Sequence, residues 1–437
     1  MASDWDTKCL GGILEFSNGK SSPERGEDGE SPVYGSNGII GRADDVNSPD
    51  DSIVIGRVGT YCGSVYHSKV ACWVTDNAIR ATAKQENSSV YLYYLLSNLN
   101  LNRWREGSGQ PLLNQTILKS IEVTIPCFKT QKAIAHILGT LDDKIELNRQ
   151  TNKTLEAIAK AIFKSWFVDF DPVHYKQGST QQNRKSLNAA ADEKGACTPN
   201  DDPTDAARYS LSPEILDLFP DSFQDSELGE IPAGWAVCTV DEIGEVVCGK
   251  TPSTKVDEYY GQDIPFVTIP DMHNNLFVIE SNKMLSKEGA ESQSKKTLPV
   301  GSICVSCIAT PGLVILTHRE CQTNQQINSV IPHDKESEYY WYWCFTRLGE
   351  TISEAGSGGS VFSNLSKSRF EKLSVLVANE KMRKEYNIIV EPIFSKVLSN
   401  LQQSHTLAEI RDTLLPKLIS GELPIKNAEK FLEQAGV

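Results

Sequence analysis

The chain has 437 residues and a formal net charge of −14, and its apolar runs fall far short of the ~18 residues that a membrane span requires. That length leaves room for two or three domains with cores of their own, while the acidic balance argues against a freestanding nucleic-acid binder, which usually carries a basic excess to neutralise phosphates. Much of the acid is local, in Glu24 to Glu30, Asp44 to Asp51 and Asp192 to Asp205; eleven scattered Cys without framework spacing read as reduced thiols, no signal peptide is recognisable, and a cytoplasmic protein is expected.

Residues 1–127 read as a strand-rich domain. Short β-branched and aromatic runs separated by Gly, Asn and Asp, such as SPVYGSNGIIG and SIVIGRVGTYCGSVYH, predict strands joined by tight turns. Tyr91 to Leu101 predicts a short helix, and KSIEVTIP a closing strand ended by Pro126. A spacer helix over 128–172 follows. Within it Ile134, Leu138, Leu141, Ile145, Asn148, Asn152, Leu155, Ala159, Ile162 and Trp166 recur at alternating steps of four and three. That heptad seam predicts a long helix packed along a partner helix. Asn148 and Asn152 lie mid-seam, where a buried amide costs stability unless it meets a partner, and so restricts the register. Asp171-Pro172 is expected to stop the helix.

A polar linker is expected over 173–217, with no periodicity from Lys176 to Tyr209. A second strand-rich domain spans 218–378, and a closing helix with its tail 379–437. Proline costs about 3 kcal/mol inside a regular helix, and Pro392 falls where Thr140, beside Gly139, sits in the first helix. Both arms are therefore expected to kink or break at that level, with Pro416 and Gly421 ending the second.

The two helices are copies. Ile393 to Ile419, laid beneath Leu141 to Phe167 without gaps, matches Lys144 with Lys396, Asn148 with Asn400, Gln150 with Gln402, Thr154 with Thr406, Leu155 with Leu407 and Ile158 with Ile410, and sets Ser404 beneath Asn152. Further parallels run in the same order upstream: GKSSP with GKTPS, SPVYGSNGI with IPFVTIPDM, SIVIGRVGT with SICVSCIAT, TDNAI with TNQQI, YLYYLL with YYWYWCF, and GSGQPLLN with GSGGSVFSN. A period of this size means two tandem domains rather than a solenoid.

Catalytic motifs are missing: no GxxxxGK[ST] loop, no GxGxxG after a strand, no HExxH. Pro220-Asp221 or Asp142-Asp143-Lys144 could suggest a nuclease, but the latter lies in the coiled-coil segment, where it is expected to face water. Cys304, Cys307, His318 and Cys321 have tolerable zinc spacing. Against zinc, Cys304 and Cys307 fall in a strand pattern that points them to opposite faces, and the first copy has Val54 and Arg57 there, so no metal is expected. The polar loops offer more. Tyr34, Ser36, Asn37, Arg57, His67, Lys69 and Gln110 in the first half, and Lys255, Thr268, His273, Asn274, Thr310, His318, Arg319, Ser360 and Asn364 in the second, are candidate DNA contacts. Such side chains read base edges or phosphates, with Gly permitting close approach; taken singly, each could equally be a solvated turn.

YGSNGIIG, VIGRVGTYCGSV, LDDKIELNRQTNKTLEAIAKAIFKSWFVDFDPV, LFPDSFQDSELGEIPAGW and TNQQI resemble the specificity subunits of type I restriction-modification systems, and the resemblance covers nearly the whole chain. It implies an α+β fold with two tandem pseudo-symmetric strand-rich target recognition domains, separated by two long antiparallel coiled-coil helices. Each domain would read half of a bipartite double-stranded DNA target. The helices would bind two methyltransferase subunits, joined by restriction/translocase subunits. The resemblance places S-adenosylmethionine, ATP and Mg with those partners and none with this chain, a non-catalytic reader and scaffold. The linker at Lys176 to Tyr209 and Pro392 depart from the family pattern. The alternative is an orphan homologue serving as a structural or interaction protein without DNA readout. The charge of −14, and Ile158, Phe163 and Phe167 lying off the seam, imply that the chain needs a methyltransferase subunit over the outer faces of the helices.

The helices should then act as a ruler. Leu141 to Phe167 spans about 40 Å at ~1.5 Å per residue, close to the ~34–36 Å between half-sites on one face of B-DNA. Inserting a second copy of Thr154-Leu155-Glu156-Ala157 lengthens the arm by ~6 Å, and a stutter of this kind unwinds a coiled coil slightly without breaking it. At ~3.4 Å per base pair the spacer should grow by about one or two base pairs with both half-sites unchanged. Mapping of methylated adenines reads the outcome, and an unchanged spacer would assign the distance to something other than the helices.

Overall fold

The computed structural model describes residues 5–26, 28–84, 86–106, 112–178, 211–357, 365–425 and 428–436. These group into two units, Met1–Asn148 with Gln403–Val437, and Arg149–Gln402. Each unit holds a strand-rich stretch and a part of both long helices.

The first unit contains β1 (Trp5–Cys9), β2 (Leu14–Asn18), β3 (Ser31–Gly35), β4 (Gly38–Ala43), β5 (Ser52–Gly56), β6 (Val65–Ser68), β7 (Trp73–Val74), β8 (Ala78–Ala83) and β9 (Glu122–Pro126). They form a four-stranded sheet in the order β2-β8-β5-β6, a three-stranded sheet β4-β3-β7 and the pair β1-β9. The continuous apolar run SIVIG makes β5 a strand buried along its whole length. β3 and β4 are joined through Ser36-Asn37. Gly38 then takes φ +94, and an added Cβ there would meet the Tyr66 ring at 3.1 Å.

The second unit contains β10 (Phe223–Ser226), β11 (Gly229–Pro232), β12 (Ala236–Thr239), β13 (Gly244–Cys248), β14 (Tyr260–Val267), β15 (Met284–Leu285), β16 (Ile303–Ser306), β17 (Val314–Leu316), β18 (Gln322–Thr323), β19 (Ile327–Pro332) and β20 (Ser374–Val377). Its sheets run β13-β19-β16-β17, β15-β14-β18 and β12-β20, with β10-β11 as an added hairpin. The plan repeats that of the first unit strand for strand. Even the parallel pairings correspond, Val33 with Trp73 in one copy and Phe266 with Gln322 in the other. One sequence match needs correction. Lys20 N donates to Val74 O at 3.0 Å and Lys250 N to Thr323 O at 2.9 Å, so Thr323 corresponds to Val74. TDNAI and TNQQI are therefore one residue out of register, a slip that in a strand exchanges the two faces.

The long helices span Phe128–Phe167 and Glu380–Ile419. Ile134, Leu138, Asn148, Asn152, Ala159 and Trp166 are buried and the other seam residues half-buried, as the heptad reading requires. Within the first unit Arg411 Nη1 donates to Asp142 Oδ1 at 2.6 Å, and Asn148 Nδ2 donates to Gln403 Oε1 at 2.9 Å and Ser404 Oγ at 3.2 Å. Within the second, Asn152 Nδ2 donates to Val397 O at 3.2 Å, Asn400 Nδ2 to Asn152 Oδ1 at 2.8 Å, and Tyr386 OH to Ala159 O at 3.0 Å. Numbers rise along one helix as they fall along the other in both sets, so the pairing is antiparallel. Among the described residues no helix is long and apolar enough to cross a membrane.

Several expectations about the arms are corrected. The second helix runs unbroken through Pro392 and Pro416, and the first through Gly139. Pro392 lies on the exposed face, and the carbonyl it leaves without a helical donor belongs to Ile388, a residue 62% exposed, so the missing helical bond falls on the side of the helix open to solvent. The first helix ends at Phe167 with Phe170 at φ 54. Asp171-Pro172 does not stop it but opens the next helical stretch, where a proline has no N–H bond to lose. Phe163 and Phe167 are not bare; both pack on Tyr340 and Tyr386 in an aromatic core, and of the three off-seam residues only Ile158 is exposed. Of Asp142-Asp143-Lys144, Asp143 and Lys144 are exposed as expected, while Asp142 is half-buried, accepting from Tyr94 OH at 2.5 Å and from Arg411. Of the linker expected over 173–217, residues 173–178 and Pro213–Leu216 are helical, and residues 179–210 lie outside the described residues.

The buried amides carry a measurable coupling. Asn152→Ala removes the acceptor of the Asn400 bond and should cost about 1–3 kcal/mol in urea unfolding. A double-mutant cycle with Asn400→Ala should give a coupling of about 1 kcal/mol. Strictly additive losses would mean that the two amides do not act as a pair.

Candidate nucleic-acid interface

In the first unit a set of loops converges at one end of the sheets. The chain leaving β5 at Gly56 continues into Arg57, whose N–H donates to Asn77 O at 3.0 Å while Nη1 reaches Asp76 O at 3.5 Å. Ser36, in the β3–β4 turn, donates its hydroxyl to Asn77 O and accepts from Val58 N at 3.3 Å. Leu113 N closes on Arg57 O at 3.0 Å, and the loop after β2 lies on the same turn through Gly19 N to Ala78 O at 3.1 Å and the Lys20 bond. Lys20, Asn37, Asp76 and Asn77 are exposed there, with Ser36 and Arg57 half-exposed. Amide, guanidinium and ammonium groups at one surface can meet base edges and phosphates together.

The second unit rebuilds the same frame from different side chains. Cys307 N donates to Gln326 O at 2.9 Å, Leu365 N to Cys307 O at 3.1 Å and Gly249 N to Ile327 O at 3.1 Å, the counterparts of the Arg57, Leu113 and Gly19 bonds. Thr251 Oγ1 donates to Gln325 Oε1 at 2.8 Å, and Asn324 Nδ2 to Gln326 Oε1 at 3.0 Å. Where the first unit has its short hairpin turn, the second has a helical turn, Ile269–Met272. Exposed His273 and Asn274 follow it, Asn274 at φ 58.

The candidate contacts divide accordingly. Ser36, Asn37 and Arg57 join the first cluster. Tyr34 does not: the residue is 6% exposed, packed with Val54, Cys72 and Val74, because the strand alternation that carries it also turns it inward. Thr268 is consumed by capping, its hydroxyl 2.7 Å and its N–H 2.8 Å from Asp271 Oδ2. Thr310 is exposed in the β16–β17 loop, and Lys255 in the loop after β13. Gln110, Ser360 and Asn364 lie outside the described residues. Lys20, Asp76, Asn77, Lys250, Thr251, Gln325 and Gln326 were not singled out, although GKSSP/GKTPS and TDNAI/TNQQI marked them as repeated.

His67 and Lys69 sit at the other end of the β5–β6 hairpin, His67 opposite Ile53. There His67 stacks on Tyr93 with centroids 5.6 Å apart, its Nε2 is 3.3 Å from Asp51 Oδ1 without hydrogen-bond alignment, and Lys69 is ion-paired with Asp143. Burial pulls the His67 pKa below its ordinary value, against the opposing pull of Asp51. These residues line a cavity of about 690 Å³ with Tyr94, His136 and Asp142. His318 and Arg319 occupy the corresponding end of the second unit, His318 edge-on to Phe277 at 6.2 Å and Arg319 Nη2 donating to Ile279 O at 2.9 Å. Burial, then Arg319, lowers the His318 pKa. The zinc candidates are not gathered: Cys304 and Cys321 share one apolar cluster and Cys307 belongs to another.

Comparison with known proteins gives the frame a lineage. The model of the type I restriction modification DNA specificity domain matches residues 2–157 and 232–394. The HindI specificity subunit of Haemophilus influenzae is 40% identical over 327 residues, 72% of this chain and 71% of that protein. The MjaIX specificity subunit of Methanocaldococcus jannaschii is 25% identical over 350 residues, 77% and 70% of the two chains. In three dimensions the S subunit from M. genitalium aligns over 95% of this chain and 96% of its own with a TM-score of 0.58 at 16% identity, a likeness of fold.

The packing of His67 against Tyr93 and Asp51 has a test in pH. A histidine whose folded pKa lies below its unfolded value adds stability that is present above about pH 6.5 and lost as the pH falls beneath it. Urea unfolding of the native chain should therefore weaken between about pH 7.5 and 5.5, and His67→Gln should weaken less. Equal slopes would mean that His67 is not held neutral against Tyr93 and Asp51.

Proposed function

Because the chain belongs to the type I restriction-modification specificity family and is the specificity subunit of such a system, we propose that its two units read the two halves of a bipartite double-stranded DNA target. Recognition of DNA is this family's role, and it is a non-catalytic one. The observation that carries the two-reader assignment is the loop frame built twice, with the Arg57–Asn77 and Cys307–Gln326 backbone bonds in corresponding places. On that frame Asn37, Arg57 and Asn77 are the base readers of the first unit, and His273, Asn274, Gln325 and Gln326 those of the second.

Methylation and cleavage then fall to partners, two methyltransferase subunits and restriction/translocase subunits, which use S-adenosylmethionine, and ATP with Mg, respectively. Ile158 and its repeat counterpart Ile410, 45% and 43% exposed, support the methyltransferase subunits' docking on the outer faces of the helices.

Exchanging residues 1–127 for the equivalent stretch of a relative should change one half of the methylated site and leave the other half as it was, because each unit has its own core and loops. Sequencing of methylated adenines in cells that also express the methyltransferase subunit gives the answer. A change in both halves at once would end the assignment of one reader to one half-site.

A further inference from the structure

The duplication lets each unit serve as a control for the other. Two half-sites of a bipartite target differ in their bases but present the same sugar–phosphate backbone. A side chain that both units keep in one place therefore answers to the backbone, and one that differs answers to the bases.

Most of the loop cluster differs. Arg57 is replaced by Cys307, Asn77 by Gln326, and the Ser36-Asn37 turn by the Ile269–Met272 helical turn. What persists is the loop after β2 and β13, Gly19-Lys20-Ser21 and Gly249-Lys250-Thr251. In both copies the Gly and Lys backbone N–H groups bind the chain beside the neighbouring turn, at 3.1 and 3.0 Å in the first and 3.1 and 2.9 Å in the second. An added Cβ would lie 2.1 Å from Thr75 O at Gly19, and 2.1 Å from Asn324 O at Gly249. Only glycine lets the loop lie that close, and the contact fixes the backbone that carries the next residue. Lys20 and Lys250 are both exposed, and neither is ion-paired with another described residue. A lysine ammonium is a compact charge on a flexible stem, suited to a phosphate and unable to make the planar two-pronged contact by which arginine reads guanine.

We propose that Lys20 and Lys250 are matched phosphate contacts, each gripping the DNA backbone at its own half-site independently of sequence and setting the depth at which the divergent neighbours meet base edges. The proposal rests on the reading of both units as DNA readers.

The test uses the full chain in complex with its methyltransferase subunit. Two duplexes serve as probes, one carrying the site found by mapping methylated adenines and one with that site shuffled, titrated between about 50 and 200 mM salt. Lys20→Ala and Lys250→Ala should each lower the slope of log K against log salt by about 0.9, and the pair by about twice that. Both duplexes should lose affinity by the same factor, with the methylated sequence and spacer unchanged. Lys20→Arg and Lys250→Arg should keep the native slope, and all variants the native melting temperature. An unchanged slope, a loss confined to the target duplex, or a shifted methylation site would overturn the proposal. A native complex that held the target no better than the shuffled duplex would overturn the two-reader assignment itself, whatever the lysines do.

Discussion

The register of the two long helices depends on where Asn148 and Asn152 put their amides. Leucines and isoleucines in a seam accept several alignments at modest cost, whereas an amide moved against hydrocarbon loses its partner and costs about 1–3 kcal/mol. The repeat makes this constraint self-consistent: Asn400 is the copy of Asn148, and Ser404 the copy of Asn152. An antiparallel setting that brings Asn152 to Asn400 therefore also brings Asn148 to Ser404, and the structure has both contacts. Everything attached to the helices inherits that setting, from Asp142 against Arg411 to the Tyr386 hydroxyl on the Ala159 carbonyl.

Within a common backbone plan the two copies seat their strand-rich parts on the helices by different chemistry. The repeat places Asp142 and Phe394 at one position and Ala159 and Arg411 at another. In the first unit the result is ionic, Asp142 taking Arg411 and Tyr94 at 2.6 and 2.5 Å with both charged groups still partly in water. In the second it is aromatic: Phe394 stacks on Tyr339 at 4.2 Å and faces Phe277 at 6.4 Å. Strand register makes His318 the counterpart of Lys69, so Phe277 lies between the counterparts of Lys69 and Asp142. Those two residues line the open cavity of about 690 Å³ in the first unit. A side chain supplied by a longer loop fills in one copy what the other leaves to solvent. Hydrogen-bonded frame and strand order persist through such changes because they depend on backbone, which substitution leaves alone.

This division explains what could be read from the sequence. Heptad steps, the buried amides and the tandem repeat were legible, since each is a periodicity that survives divergence of individual residues. Pro392 misled because its cost depends on which face it occupies, and on the exposed face solvent can reach the carbonyl it leaves without a donor. Among the contacts, Tyr34 and Thr268 carried the right chemistry but are spent on core packing and capping. His67, Lys69, His318 and Arg319 lie away from the loop clusters for another reason: a strand segment does not reveal which end of its sheet faces which neighbour. Conversely, Lys20 and Lys250 were visible as repeats, and only the close approach of Gly19 and Gly249 to the adjacent turn gives that repetition a physical meaning.

The net charge of −14 looks hostile to a polyanion, yet it is a sum over the whole chain and does not give the charge at the loop clusters, where exposed Asp76 sits with Lys20 and Arg57. On the arm of the first unit, acid is already matched, Asp142 by Arg411 and Asp143 by Lys69. At the loop clusters Lys20, Arg57 and Lys250 have no ion-pair partner among the described residues. Salt screens exposed charges beyond ~8 Å at physiological ionic strength, so carboxylates farther away than this would do little to a phosphate held, as proposed, at Lys20 or Lys250. They still count before contact, when the long-range field governs encounter. A chain built this way can discriminate bases once docked but attracts DNA poorly from a distance, and a partner subunit with a basic surface would supply the missing attraction.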